Sequence, residues 1–238
     1  MLEPGMLSML AEGTWQSIYM TVAITAISYL IGIPLGVFLV MSDKNGIHPM
    51  ASLNWIVGGI VNILRSVPFL ILMITIQPFT RMIVGTTIGT KAAIVALVVS
   101  AAPFVARMVE QSLLEIDHGV IEAAQSMGAS NMQIVTKVLL PESLPSLLNG
   151  VLVSATTILG YSAMAGFIGG GGLGDIAIRY GYQRFRPDVM LATIIILIVV
   201  VNVIQAGGDF ASRKKNKNDR KRACRVCDKP FEWLVASS

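Results

Sequence analysis

Apolar and polar positions in this chain separate on the scale of whole helices, with long uncharged runs divided by short charged loops. Trp15 to Met41 holds 27 residues without a charge; as a helix this is about 40 Å, longer than the ~30 Å hydrocarbon core of a bilayer. It can span with tilt or with a bend at Gly32-Ile33-Pro34-Leu35-Gly36. Ser28, Gly32 and Gly36 form a small-residue ladder that admits a neighbouring helix. After a polar loop over Ser42 to Met50, the run Leu53 to Phe79 is interrupted by Arg65 and Pro68. A charge at mid-bilayer costs at least ~2.5 kcal/mol, which assigns Arg65 to an interface. Leu53 to Leu64 is therefore expected at or near the membrane surface, with a second span from about Ser66 to Val84. The alternative is one long broken helix whose Arg65 faces a buried partner.

Lys91 precedes a third span, Ala92 to Ala106, with Pro103 a candidate kink. Beyond Arg107 the positions Val105, Met108, Val109, Ser112, Leu113 and Ile116 keep a helical stripe while Glu110 and Glu115 stay off it, so the helix is predicted to continue into water. Leu144 to Phe167 forms a fourth span, followed by a glycine-rich cap to Gly174 that reads as a flexible return into the membrane interface. Val189 to Gly208 is the fifth, 20 residues between Asp188 and Asp209. Its Asn202 and Gln205 are expected to hydrogen-bond between helices.

Between the third and fourth spans lies a polar-edged helical pair, residues 117–141. Asp117 can cap a first helix whose Val120, Ile121, Ala124 and Met127 share a face, and Gly128 supplies the positive φ that ends it. Ser130 and Gln133 form a capping box for a second helix, in which Ile134, Val135, Val138 and Leu139 make the apolar stripe until Pro141 stops it. Ala123 and Ala124 are small enough for another protein to approach the backbone, and Glu122 sets a charge at the edge.

Composition strengthens the membrane reading. The chain is 54% hydrophobic and 13% charged, about half the charge of an ordinary soluble domain. The fold class is thus all-α: a polytopic membrane protein with five transmembrane helices and a polar-edged helix pair outside the membrane. Two domains are drawn, a transmembrane domain over residues 1–212 and a basic tail over 213–238, read as disordered. Nine of the 18 basic residues lie in that tail, which argues for anionic lipid headgroups as the contact and against nucleic acid. The first apolar run is too long for a signal-peptide core, and no cleaved signal is expected.

Chemistry is excluded more readily than assigned. Cys224 and Cys227 give two metal ligands where a structural zinc site needs about four, so two free thiols are the simpler reading and no metal site is expected. Gly169, Gly171 and Gly174 match G-x-G-x-x-G, but no strand precedes them, so a dinucleotide site is rejected. No phosphate-binding G-x-x-x-x-G-K-[ST] motif occurs, so ATP hydrolysis cannot be this chain's own. His48 and His118, the two histidines, sit outside any catalytic motif, and no catalytic residues are assigned. No Asp, Glu, Lys or Arg lies inside the first, third, fourth or fifth span as drawn, which argues against an ion-coupled transporter.

Glu122-Ala123-Ala124, then Gly128, Val138 and Leu140-Pro141, carry a spacing that resembles the coupling loop of importer-type ABC permeases, the part that docks into the ATP-hydrolysing subunits. Val138 stands where that family more often has isoleucine. The segments Asn62 to Phe69, Ala101 to Glu110 and Gly160 to Gly166 extend the resemblance to small five-span permeases of methionine uptake systems, over about residues 10 to 210. The resemblance implies a homodimer with a pathway on its two-fold axis, two ATP-binding subunits that hold ATP and Mg, and an extracytoplasmic substrate-binding protein. No cofactor is implied in this chain. It also implies a bacterial cytoplasmic (inner) membrane location with the N-terminus outside and the C-terminus cytoplasmic. Met164, with Tyr161 and Ser162, is the candidate gate, because a flexible thioether can plug an irregular constriction and repack. The function so implied is ATP-driven import of methionine (D or L) or close analogues. The alternatives are another small amino acid or peptide as cargo, or a non-transporting scaffold that docks an ATPase.

Overall fold

A computed structural model describes residues 4–44 and 46–227, with side chains as far as Gly208. Every regular element among the described residues is helical. Helix α1 (Pro4–Ser42) is followed by α2 (Ala51–Ser66), α3 (Phe69–Thr75), α4 (Gln77–Val84) and α5 (Thr90–Leu114). The hairpin consists of α6 (His118–Ser126), α7 (Asn131–Ile134), a π-helical turn (Val135–Leu139) and α8 (Leu140–Glu142). Then come α9 (Leu144–Met164), a 3-10 turn (Ala165–Ile168), α10 (Gly172–Ile176), a second π turn (Ala177–Tyr182) and α11 (Pro187–Cys227). Four of these helices are long and apolar enough to cross a membrane, and the count is five where the bent pair α2 and α3 is taken as one broken span.

The first helix begins earlier than its uncharged run, because Met6 and Leu10 bury against Leu173, Ile176 and Val189. Its small-residue ladder is the centre of the packing against α5. An added Cβ on Gly32 would lie 2.6 Å from Val105 Cγ1, and one on Gly36 would lie 2.8 Å from the Ala106 carbonyl oxygen. Ser28 completes the ladder and is fully buried. Dispersion contacts at such close approach drive helix association where the solvent is itself apolar.

The second apolar run divides where Pro68 removes a donor: α2 and α3 meet at 106°. Helix α2 is thereby turned across the direction of α3, consistent with an interfacial α2, and Arg65 at its last turn is exposed rather than set against a buried partner. Beyond the bend, α3 and α4 run on from each other through the bonds from Ile76 N to Leu72 O and Thr80 N to Ile76 O. Residues 69–84 thus make a helical stretch of about 24 Å.

At the end opposite the hairpin, the glycine segment is a built turn rather than the loose return expected from its composition. The amides of Gly172 and Leu173 donate to Gln16 Oε1 at 3.0 Å and to Ser17 Oγ at 2.8 Å, so α1 caps the start of α10. Gly166 and Gly174 meet backbone to backbone, a contact no side chain could occupy. Helix α11 continues to Cys227, past the domain boundary drawn at residue 212. No glycine or proline follows Gly208 until Pro230, so nothing local stops the helix where its sequence turns basic. The side chains of Cys224 and Cys227, and residues 228–238 of the tail, lie outside the described residues.

Candidate functional site

The hairpin is assembled by the local signals that its sequence carries. Asp117 accepts the Gly119 amide at 2.7 Å as the cap of α6, and Gly128 closes the helix at φ +78°. The Ser130 and Gln133 capping box is reciprocal, with Gln133 Oε1 accepting the Ser130 amide at 2.9 Å and Ser130 Oγ accepting the Gln133 amide at 3.4 Å. Pro141 does not stop the second helix, as the sequence suggested. It occupies the first turn of α8, just after the π turn, so the helical path reaches Glu142. A wider turn before a proline changes which carbonyls need donors, and a first-turn nitrogen needs no intrahelical acceptor.

The two faces of this hairpin differ. Ala124, Ile134, Val135 and Leu139 are buried with Val105, Val109 and Leu113 of α5 and Leu147 of α9, and Ile121, Val138 and Leu140 pack at the margin. The opposite face is open. Met127 is 81% and Met132 70% exposed; Val120, Glu122, Ala123, Gly128 and Pro141 are exposed beside them. The stripe expected to run through Val120, Ile121, Ala124 and Met127 is therefore split, because two of its four members face away from the bundle. Glu122 holds His118 Nδ1 at 3.4 Å. One face is thus anchored to the membrane helices while the other leaves flexible apolar side chains uncovered.

Along α9 a second open face runs through Asn149, Val153, Gly160, Met164 and Phe167 at helical spacing, with Met164 44% exposed. Ser162 is on the other side, buried, and its hydroxyl donates to Leu159 O at 2.8 Å. Tyr161 flanks the open face and stacks on Phe69 with ring centroids 4.4 Å apart and planes at 7°. Next to this stack, at the α2–α3 bend, is a cavity of about 320 Å³ lined by Leu64 to Phe69, Leu72, Ser100, Phe104 and Tyr161. A larger cleft of about 620 Å³ separates α9 from α11, bordered by Asn149, Thr156 and Gln205. Asn202 is not the interhelical donor expected, since its amide bonds to Ile198 O of its own helix at 2.8 Å.

The segments 62–69, 101–110 and 160–166, separate in sequence, converge here. Arg107 grips both Glu110 oxygens at 2.8 and 2.7 Å and donates to Asn62 Oδ1 at 3.0 Å, joining α5 to α2. Residues 32–215 match the model of the binding-protein-dependent transport system inner membrane component family. The chain belongs to this family. It is 52% identical over 206 residues to the probable D-methionine transport system permease protein MetI of Vibrio cholerae serotype O1, covering 87% of this chain and 92% of that one. It is 43% identical over 204 residues to the methionine import system permease protein MetP of Bacillus subtilis, covering 86% and 92%. Among solved structures, it superposes on a chain of the MetNI methionine ABC transporter in an inward-facing conformation with a TM-score of 0.87 at 48% identity, covering 89% of this chain and 98% of that one. An amino acid ABC transporter structure at 20% identity and TM-score 0.69 shares the fold.

Two features of this inner membrane component escaped the sequence. The Phe69–Tyr161 stack and the Asn62–Arg107 bond join residues 92 and 45 positions apart, and no periodicity reports a pairing across that distance. The motif segments marked where to look, but gave no role to Phe69 or Arg107.

Proposed function

We propose that the chain is the permease subunit of an ATP-driven importer of methionine or close analogues in the bacterial cytoplasmic membrane. The observation that carries this reading is the hairpin, anchored on one face to α5 and α9 and open on the other with exposed methionines, alanine and glycine. A partner that pushes on the open face moves the membrane helices through a close-packed core, as in rigid-body switching. The names of the relatives support methionine as cargo, and the exposed face of α9 supports a second copy of the chain across a two-fold axis with Met164 as the gate. In this arrangement two ATP-binding subunits seat on Glu122, Ala123, Gly128 and Pro141, while Ala124, Val138 and Leu140, expected on the same surface, instead hold the hairpin to the bundle from its packed side; an extracytoplasmic binding protein delivers cargo at the glycine end. ATP and Mg belong to the partner subunits; this chain catalyses no reaction. The N-terminus lies outside and the C-terminus in the cytoplasm.

The test is accumulation of labelled methionine in cells lacking their own uptake systems, expressing this chain with its neighbouring ATPase and binding protein. Accumulation that disappears with an inactive ATPase supports the reading. Absence of accumulation with all three proteins in the membrane overturns methionine as the cargo.

A further inference from the structure

The cavity at the α2–α3 bend has a composition unlike any other cavity described among these residues. Arg65 is its only charged lining residue, no carboxylate lines it, and Arg65 forms no ion pair among the described residues. Ser66 and Ser100 also line it, each spending its proton on its own helix, to Asn62 O at 2.8 Å and Ala96 O at 2.9 Å. Their oxygens keep lone pairs for a donor. The remaining wall is apolar, part aliphatic (Leu64, Val67, Pro68 and Leu72) and part aromatic (Phe104 and the stacked Phe69 and Tyr161), and Tyr161 is one helical turn from Met164. By contrast, the larger cleft between α9 and α11 offers neither a charge nor a ring.

A cation, hydroxyl acceptors and aromatic faces in about 320 Å³ match a zwitterionic amino acid with an apolar or thioether side chain. The carboxylate takes the guanidinium fork, the ammonium meets a serine oxygen, and the side chain lies along the rings, where a thioether gains from sulfur–aromatic contact. The volume is at the lower end of the range for small-molecule sites, suiting one amino acid and no more. We propose that this cavity is a transit site beside the gate, in which Arg65 pairs with the carboxylate of the amino acid being carried. The inference rests on the reading of the chain as an amino-acid permease and adds to it a binding site within the membrane subunit. Arg65 thereby has a reason to stand in an otherwise apolar run: a solitary cation there is costly unless it serves a ligand or an interface.

The experiment uses the permease assembled with its ATPase subunits in proteoliposomes, with the binding protein added for transport, and L-photo-methionine, a diazirine analogue, as the probe. In the wild type, irradiation is expected to label peptides containing residues 64–72, 100–104 or 161. Arg65→Gln should lower that labelling and the transport rate about tenfold, the scale of one charge-assisted hydrogen bond, while Arg65→Lys recovers part of both. Arg81→Gln, an exposed arginine of α4 away from the cavity, should change neither. Wild-type transport with labelling confined to other segments overturns the transit site. So does Arg65→Gln with wild-type labelling whose only defect follows the fraction of anionic lipid, which makes Arg65 a headgroup anchor. A wild type that carries no methionine overturns the cargo reading, and the transit site with it.

Discussion

At the residue scale, Gly36 and Gly128 are glycines for opposite reasons. Around Gly36 there is no space: a Cβ would lie 2.8 Å from the Ala106 carbonyl oxygen and 2.7 Å from Val109 Cγ1. Gly36→Leu should therefore force α1 from α5 and destabilise the purified permease by about 1–3 kcal/mol or more, read as a lowered Tm in detergent. Gly59→Ala in α2, where a Cβ meets nothing within 4 Å, should leave Tm unchanged or raise it, given a helix-propensity gain of up to ~1 kcal/mol. Gly128 has open space but φ +78°. Gly128→Trp costs about 1–2 kcal/mol of backbone strain, little enough for the fold to persist, but places an indole on the open face that we propose as the docking surface. The expected outcome is a complex whose ATP hydrolysis no longer drives uptake; unchanged transport by this variant would remove the hairpin from the coupling path.

At the element scale, the second helix of the hairpin depends on its start. Ser130→Ala removes one side of the capping box and should cost about 1 kcal/mol, visible as faster amide exchange over residues 130–142 with the exchange of α5 unchanged. This helix also shows what the sequence could and could not convey. The caps at Asp117 and Ser130 and the turn at Gly128 were legible because each is a local contract between residues two to three apart. The same holds for the helical run of α5 beyond Arg107, whose stripe Val105, Val109, Ser112 and Leu113 is buried. Pro141 was misread because a π turn one step earlier, set by tertiary packing of Val135 and Leu139, prepares the helix to accept it. Met127 and Val120 were misread for a different reason: periodicity identifies an apolar face but not whether the molecule or its partner covers it. The cavity by Arg65 was the least legible feature, since three distant segments build it.

At the scale of the whole molecule, the open face of α9 is the surface that we propose a second copy covers. Met164→Cys should cross-link two protomers through a short bifunctional reagent if that residue meets its own image at a two-fold axis, and Met164→Ala should raise ATP hydrolysis uncoupled from uptake. Monomeric bands under all conditions, with wild-type coupling in the alanine variant, would return Met164 to ordinary helix packing. A further long-range tie lies at the glycine end, where Gln16 and Ser17 of α1 hold the amides of Gly172 and Leu173, 156 residues further along the chain. A ribosome adding ~5–20 residues per second takes roughly 8–30 s to make that stretch. During this interval the oxygens of Gln16 and Ser17 await the amides of Gly172 and Leu173 as donors. A chain interrupted before Gly172 therefore lacks the clasp between α1 and α10, however complete its first helices are.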